Sequence, residues 1–326
     1  MKKINAALIL LLAVLFVTIP YFYDKSKVRQ GRKLEYVRLY NHADGKIYKL
    51  PLEEYLVGVV AAEMPAAFPL DALKAQAVAA RTYIVKRLSV GVENPAHPGA
   101  DICDDCRHGQ AWVSREELKE RWGAIEYYKY YYKVKKAVDE TAGQVITYKG
   151  ELVDPVYHSS CGGRGTENSG DVWQVNLPYL RAVPCPYCAD PEPVRRVSFT
   201  LADVGRALGA DPAGRPGGVS RAVSDTARDI GVIEKTSTGR PKTVRAGESV
   251  VPAVTVRERL GLRSTDFTVQ VEGGGITFTT TGYGHAVGMC QYGAKGMAEH
   301  GYGCRTIIGH YYSGAEITNM KILTPP

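Results

Sequence analysis

The strongest constraint on how this chain can fold is an uncharged, mostly aliphatic stretch at residues 4–23. A helix of this length rises about 1.5 Å per residue and spans roughly 30 Å, the thickness of the hydrocarbon core of a bilayer. Two lysines precede the stretch, and it runs into Pro-Tyr-Phe-Tyr without the A-x-A pattern of a cleaved signal peptide. We therefore expect a retained N-terminal transmembrane helix, with residues 1–33 as membrane anchor and basic stalk.

The positive charge of the chain is concentrated in this N-terminal segment. The formal net charge is +7, but residues 1–33 hold seven Lys/Arg and one acid, which leaves 34 basic and 33 acidic residues. A nearly neutral body lacks the positive field that follows nucleic-acid phosphates, so DNA and RNA are poor candidate partners. The whole chain is 45% hydrophobic and 23% charged, a globular composition that can form one large or two moderate cores.

Hydrophobic periodicity predicts helices that alternate with hairpins. The predicted helices are 52–62, 70–88, 115–138 (after a Ser114/Glu117 capping box) and 287–299. The predicted strands are 36–40, 46–50, 144–148, 152–158, 267–271 and 276–281. These elements predict an α+β fold with mixed helices and antiparallel hairpins around a cleft. Residues 209–249 are rich in Gly, Pro and Arg and are typical of an insertion or a loose subdomain.

Glu63 is the most unusual carboxylate of the chain. The run 59–65, Val-Val-Ala-Ala-Glu-Met-Pro, surrounds it with apolar neighbours where a predicted helix stops. Desolvation raises the pKa of a carboxyl group, and a proton held near neutral pH is what a general acid needs. The alternative is that Glu63 caps the helix end or pairs with a cation of the next helix. Glu53 and Glu54 instead lie in the first turn of a helix, where acids favour the macrodipole, and we expect them to be solvated.

The cysteines suggest chemistry beyond packing, because two C-x-x-C pairs suit a metal or a redox pair. A polar loop holds two imidazoles and two thiols within twelve residues and can close a tetrahedral zinc site, with the ligands His97, Cys103, Cys106 and His108. A disulfide between Cys103 and Cys106 is the alternative. Four further cysteines predict either a second metal site or disulfides: Cys161, Cys185, Cys188 and Cys290.

Six blocks occur in an order that resembles a known family. They are L-E-E-Y-L-V-G-V-V-A-A-E-M-P at 52–65, A-L-K-A-Q-A-V-A-A-R-T at 72–82, H-S-S-C-G-G at 158–163, D-V-W at 171–173, Y-L-R-A-V at 179–183 and G-H-A-V-G-M-C-Q-Y-G-A at 284–294. Together they resemble the stage II sporulation protein D family, from the anchor to about residue 317.

The resemblance implies a membrane-anchored lytic transglycosylase whose catalytic domain, residues 34–326, lies outside the cytoplasm at the engulfing septum. It places the catalytic acid/base at Glu63. Such an enzyme cleaves N-acetylmuramic acid–N-acetylglucosamine bonds of denuded peptidoglycan strands and leaves 1,6-anhydromuramic ends. Its expected partners are the glycan strands, the sporulation amidase/endopeptidase P and the membrane protein M. The alternative is a non-catalytic glycan-binding activator of a cell-wall amidase.

Further residues are expected to act around Glu63. Lys74 and Arg81, on one side of the second helix, are expected to position Glu63 or contact a substrate carbonyl, with structural salt bridges as the alternative. Polar side chains beside glycines in the later blocks are expected to line the cleft: His158, Ser159, His285, Gln291 and Tyr292.

The zinc loop departs from the family pattern. Relatives bind zinc there with a His, a Cys six residues later and a His-Cys pair before Gln, whereas Gly109 stands here in place of the last Cys. We expect Cys106 to substitute for it. Because such a site leaves no position open for water, the zinc is expected to be structural.

Overall fold

The computed structural model describes residues 35–91, 94, 96–105, 109–208, 230–272 and 275–320. The expected membrane helix at residues 4–23 lies outside this part of the chain. Within the described residues, no helix is both long and apolar enough to cross a membrane.

Helices and strands are interleaved along the chain, and the predicted mixed α+β class with antiparallel sheets is confirmed. The helices are α1 (Leu52–Glu63), α2 (Leu70–Val90), α3 (Arg115–Glu140), α4 (Ser169–Trp173), α5 (Leu201–Leu208), α6 (Ala253–Leu260), α7 (Gln291–Glu299) and α8 (Cys304–Tyr311). The strands are β1 (Tyr36–Asn41), β2 (Lys46–Pro51), β3 (Ile102–Cys103), β4 (Gln144–Tyr148), β5 (Glu151–Leu152), β6 (Tyr157–His158), β7 (Val194–Thr200), β8 (Ile230–Lys235), β9 (Pro241–Ala246), β10 (Ser249–Pro252), β11 (Phe267–Glu272), β12 (Gly275–Thr281), β13 (Met289–Cys290) and β14 (Glu316–Asn319).

The first hydrophobic core is built around α1 and α2. Every residue of α1 from Tyr55 to Ala61 is buried, because a helix that is apolar on all sides needs neighbours on all sides. Trp112 packs so closely on Gly58 that a side chain there would have no room. The helix stops at Met64, whose backbone is extended because a proline follows it. This stop leaves Glu63 half-buried at the end of a helix whose middle is fully buried.

Three small sheets surround the helices of the first core. The strand orders are β2-β1-β3, β14-β4-β5 and β13-β6. β6 and β13 run parallel, with Tyr157 opposite Met289 and His158 opposite Cys290. This pairing brings the two glycine-rich blocks of the sequence to one edge of the core.

A second hydrophobic core is formed by α5, α6 and two antiparallel sheets, β11-β12-β7 and β10-β9-β8. Residues 230–249 belong to it, and their buried side chains include Ile230, Val244 and Ala246. The described half of the segment predicted as an insertion or loose subdomain is therefore a packed sheet. Residues 209–229 lie outside the described residues.

Buried ion pairs join the two cores at Arg240. Its guanidinium lies 2.9 Å from the Glu167 carboxylate and 3.3 Å from that of Asp266. It also donates hydrogen bonds to the backbone carbonyls of Cys161 and Gly165, at 3.3 and 2.8 Å. An unpaired charge is costly in the interior, so these contacts hold the loop 161–167 against β9.

Two predicted elements differ from the observed ones by more than two residues. The helix predicted from residue 287 begins at Gln291, because Ala286 and Gly288 have φ values of 63° and 69° that a helix cannot accommodate. The strand predicted over 152–158 is divided into β5 and β6. The capping box of Ser114 and Glu117 is confirmed at the start of α3.

Candidate active site

Glu63 lies in the wall of an open cleft of about 360 Å³. The described residues that line it are Ala61, Ala62, Glu63, Met64, Pro65, Ala66, Phe68, Arg121, Trp122, Ser159, Gln291 and Tyr292. Among these, Glu63 is the one acid and Arg121 is the one cation. The cleft therefore combines a carboxyl group, a guanidinium and three aromatic rings.

The Glu63 carboxyl group is held in place by two hydrogen bonds. The backbone N–H of Ala111 donates to its Oε1 at 3.0 Å, and the Tyr157 hydroxyl is its second partner. Burial raises the pKa of Glu63, while both hydrogen bonds favour the carboxylate and oppose this rise. Burial is the larger effect, so the carboxyl group retains its proton at higher pH than a solvated glutamate.

Tyr157 connects Glu63 to a buried chain of hydrogen bonds. The Nε2 of Gln110 donates to the Tyr157 hydroxyl at 3.4 Å, and the Tyr55 hydroxyl donates to the Oε1 of Gln110 at 3.1 Å. Burial raises the pKa of Tyr157 well above that of a solvated phenol, so Tyr157 remains a hydrogen-bond donor toward Glu63. Sequence reasoning missed Tyr157 and Tyr55, because neither lies in a pattern that indicates contact with Glu63.

The opposite wall comes from the two glycine-rich blocks. The backbone N–H of Tyr292 donates to the Ser159 carbonyl at 3.0 Å, which holds the start of α7 beside the residue after β6. Gln291 donates from Nε2 to the Oε1 of Gln76 at 3.2 Å and so fastens α7 to α2. Ser159, Gln291 and Tyr292, predicted to line the cleft, do lie in its wall with Glu63.

Comparison with known proteins agrees with the resemblance of the motifs. A family model described as "Stage II sporulation protein" matches residues 40–148. Stage II sporulation protein D of Bacillus amyloliquefaciens is 36% identical over 283 residues, which cover 86% of this chain and 78% of that protein. This chain belongs to the stage II sporulation protein D family. The protein of the same name from Bacillus subtilis strain 168 is 37% identical over 283 residues, with the same shares of both chains.

The chain is also similar to a protein named for a different role, an amidase enhancer. The amidase enhancer of Bacillus subtilis strain 168 is 28% identical over 308 residues, which cover 81% of this chain and 40% of the enhancer. The region of the family model, residues 40–148, contains Glu63, its partner Ala111 and the cleft residue Arg121.

Lys74 and Arg81 were predicted to support Glu63, but each forms an ion pair with a different acid. Arg81 is fully buried and its Nη2 lies 2.6 Å from Glu53, while the Nζ of Lys74 lies 2.5 Å from Glu140. Both cations therefore form structural salt bridges, which was the alternative to a role beside Glu63. Glu53, predicted to be solvated, is instead the acid that the buried guanidinium requires.

His158 and His285 are not among the described residues that line the cleft, contrary to the prediction. The Nδ1 of His158 donates to the Val287 carbonyl, and the Nδ1 of His285 accepts from the Val287 N–H, each at 3.1 Å. The His285 ring packs 4.9 Å from that of Trp173. Burial lowers the pKa of His285 to about 3, so its imidazole is neutral at physiological pH. Both imidazoles therefore hold the backbone of Val287, four residues before Gln291 of the cleft wall.

A first group of candidate metal ligands lies at the end of β1. The donor atoms of His42, His97 and Cys103 all lie within 4.8 Å of one another. The Tyr40 ring stacks on that of His97 at 3.8 Å, and Tyr40 is opposite Cys103 in the parallel β1–β3 pair. His97 and Cys103 were predicted as ligands, whereas His42 was missed because it is far away in sequence. The other two predicted ligands, Cys106 and His108, lie outside the described residues.

A second group consists of four cysteines. The sulfurs of Cys161, Cys185, Cys188 and Cys290 all lie within 4.8 Å of one another. None of the described cysteines forms a disulfide. The structure thus brings together the four residues for which the sequence left a metal site and disulfides as alternatives.

Proposed function

We propose that this protein is a lytic transglycosylase that cleaves N-acetylmuramic acid–N-acetylglucosamine bonds in denuded peptidoglycan strands. The observation that supports the proposal most directly is the environment of the Glu63 carboxyl group. This group has a raised pKa, lies in an open cleft, and has no second acid beside it among the described lining residues. Family membership is consistent with a role of this kind in sporulation.

The proposed mechanism needs one group that acts twice. Glu63 first donates its proton to the glycosidic oxygen as the bond breaks. The C6 hydroxyl of the same muramic acid ring then attacks C1, and the Glu63 carboxylate removes the hydroxyl proton. The product is a 1,6-anhydro ring, and no water is consumed. Ordinary glycosidases instead use two carboxylates, roughly 5 to 9.5 Å apart.

The other residues of the cleft suit a denuded glycan. Each muramic acid without its stem peptide carries a free lactyl carboxylate, and the Arg121 guanidinium can pair with such a group. Trp122 and Tyr292 offer aromatic faces on which the apolar faces of sugar rings can pack.

The proposed setting is the engulfing septum, with residues 1–33 as a membrane anchor and the catalytic domain outside the cytoplasm. The proposed partners are the amidase/endopeptidase P, which removes stem peptides, and the membrane protein M. Removal of stem peptides would create the lactyl carboxylates that Arg121 can bind. The nearly neutral body, with 34 basic and 33 acidic residues beyond residue 33, disfavours nucleic acid as a partner.

A structural zinc ion forms part of the proposal. His42, His97 and Cys103 fit one, because imidazole nitrogens and a thiolate are its preferred donors and their atoms lie within 4.8 Å of one another. The predicted ligands Cys106 and His108 are candidates for the remaining position. Bound zinc would tie the end of β1 to β3 and takes no part in the proposed proton transfers.

The second candidate function is a non-catalytic activator of a cell-wall amidase. The similarity to the amidase enhancer, 28% identity over 81% of this chain, favours it. Both candidates bind glycan in the cleft, but only the enzyme needs the Glu63 proton.

Product analysis in ¹⁸O-labelled water tests the proposal. Wild-type protein is incubated with purified denuded strands, and the ends are identified by mass spectrometry. We expect 1,6-anhydromuramic ends without ¹⁸O, because the attacking hydroxyl belongs to the substrate. Reducing ends that carry ¹⁸O would indicate a hydrolase, and binding of strands without any new ends would support the activator.

Substitution Tyr157→Phe is expected to move the alkaline limb of the pH–rate profile to higher pH. The Tyr157 hydroxyl stabilises the Glu63 carboxylate, so its removal raises the pKa of Glu63 further and keeps the acid protonated to higher pH, by up to about one unit. The measurement is kcat/KM on denuded strands as a function of pH. Tyr128→Phe, at an exposed position on α3, is the matched control and should leave the limb in place. A limb that is unmoved or shifted to lower pH in Tyr157→Phe contradicts this role.

A further inference from the structure

We infer that Cys161, Cys185, Cys188 and Cys290 form a mononuclear, four-thiolate zinc site beside the cleft. This site is distinct from the donors at the end of β1 and uses different segments of the chain. It does not depend on Glu63 or on the proposed reaction.

The spacing of the sulfurs fits one tetrahedral ion. Zinc binds thiolate sulfur at about 2.3 Å, so a tetrahedral site places its sulfurs about 3.8 Å apart. The sulfurs of Cys188 and Cys290 are 3.7 Å apart, and all four lie within 4.8 Å of one another. An iron–sulfur cluster would need room for several irons and sulfides between the thiolates, so this spacing favours a single ion.

The surroundings supply the hydrogen bonds that a thiolate ligand needs. The backbone N–H groups of Cys161 and Gly293 each donate to the Cys290 sulfur at 3.3 Å. Cys290 is also the N-cap of α7, where the helix dipole favours negative charge. The Tyr311 hydroxyl lies 3.1 Å from the Cys185 sulfur. Hydrogen bonds of this kind orient ligands around structural metals.

The backbone is also shaped to bring the sulfurs together. Cys185 and Cys188 form a tight turn in which the Cys188 N–H donates to the Cys185 carbonyl at 3.3 Å. Gly293 has no room for a side chain, because a Cβ there would collide with the Cys185 sulfur and the Tyr311 hydroxyl. A side chain larger than glycine at residue 293 would push α7 away from the thiols.

A metal ion here would fix the wall of the cleft. Cys161 follows Ser159 by two residues, and Cys290 immediately precedes Gln291 and Tyr292. One ion bound by both cysteines would fix the position of Ser159 relative to Gln291 and Tyr292. With four protein ligands the site has no position for water or substrate, so its role is structural.

Metal analysis of the full-length chain tests the inference. The wild type and the variants Cys188→Ser and Cys304→Ser are produced with zinc, purified under reducing conditions, and their metal content is measured by mass spectrometry. Cys188 is the least buried of the four ligands, and Cys304 is a half-buried cysteine outside the group. We expect Cys188→Ser to hold one zinc equivalent fewer than the wild type, and Cys304→Ser to match it. Equal zinc in all three proteins, or iron in place of zinc, would overturn the assignment.

Thiol alkylation of the wild type provides a second measurement that needs no variant. Each cysteine is mapped by mass spectrometry after alkylation of the native protein with and without a strong chelator. We expect the four thiols to be protected together and to become reactive together once zinc is removed. Alkylation unaffected by the chelator, or a disulfide between any two of the four under reducing conditions, would overturn the inference.

Discussion

Replacement of Glu63 by glutamine is expected to lower kcat on denuded glycan strands by a factor of about 100 to 10,000, the range typical of a lost general acid. Glutamine preserves the shape of the side chain, and its Oε1 can still accept the hydrogen bond that Ala111 now donates to Glu63. It has no acidic proton to give to the glycosidic oxygen and cannot remove the proton of the C6 hydroxyl. Binding of strands should change little. Initial rates of anhydro-end formation and a dissociation constant measured by calorimetry separate the two effects.

Glu54→Gln is the matched control for this substitution. Glu54 lies on α1 as well, but in its first turn and exposed. We expect it to cleave strands at the wild-type rate. If folded Glu63→Gln protein cleaves within a factor of about three of the wild type, Glu63 is not the acid, because general acids contribute far more than that.

The position of Glu63 could be predicted because local sequence determines it. The apolar run before it requires burial, and Pro65 requires the helix to stop at Met64. A carboxyl group at that junction is partly desolvated in any fold that buries the helix. The raised pKa of Glu63 follows from this burial.

The partners of Glu63 could not be predicted, because they depend on distant contacts. Gln110 and Tyr157 are 47 residues apart in sequence and meet only when the loop before α3 packs on β6. Arg121 and Trp122 reach the cleft beside Gly123, whose φ of 69° bends α3. None of these contacts leaves a periodic or spaced signal in the sequence.

The grouping of the four cysteines could be predicted only in part from the sequence. The C-x-x-C spacing at 185–188 indicates a metal or redox pair, but it does not identify the other two sulfurs. Cys161 and Cys290 join the pair because β6 and β13 run parallel, which places Cys290, the last residue of β13, beside the segment after β6 that carries Cys161. The same kind of tertiary contact brings His42 to His97 and Cys103.

Replacement of Arg81 by methionine is expected to lower the free energy of unfolding by about 3 to 5 kcal/mol, because it removes a fully buried guanidinium from a half-buried carboxylate and from two backbone carbonyls. The guanidinium is fully buried and bonds Glu53 through two nitrogens, at 2.6 and 3.1 Å. It also donates to the carbonyls of Val138 and Gln144, each at 3.2 Å. Methionine would remove a buried donor from each of these acceptors and leave the Glu53 carboxylate without its cation, at the junction of α1, α3 and β4. Urea denaturation at neutral pH measures the loss.

Lys74→Met distinguishes a structural role for Arg81 from a role in catalysis. Lys74 lies on α2 as well, but its pair with Glu140 is partly exposed, and its loss should cost about 1 kcal/mol or less. Because Arg81 pairs with Glu53 and not with Glu63, folded Arg81→Met protein should keep the wild-type alkaline limb in its pH–rate profile. An alkaline limb shifted to higher pH in Arg81→Met alone would show that the Arg81 cation acts on the Glu63 carboxyl group. Equal destabilisation by the two substitutions would contradict the structural role of the Arg81–Glu53 pair.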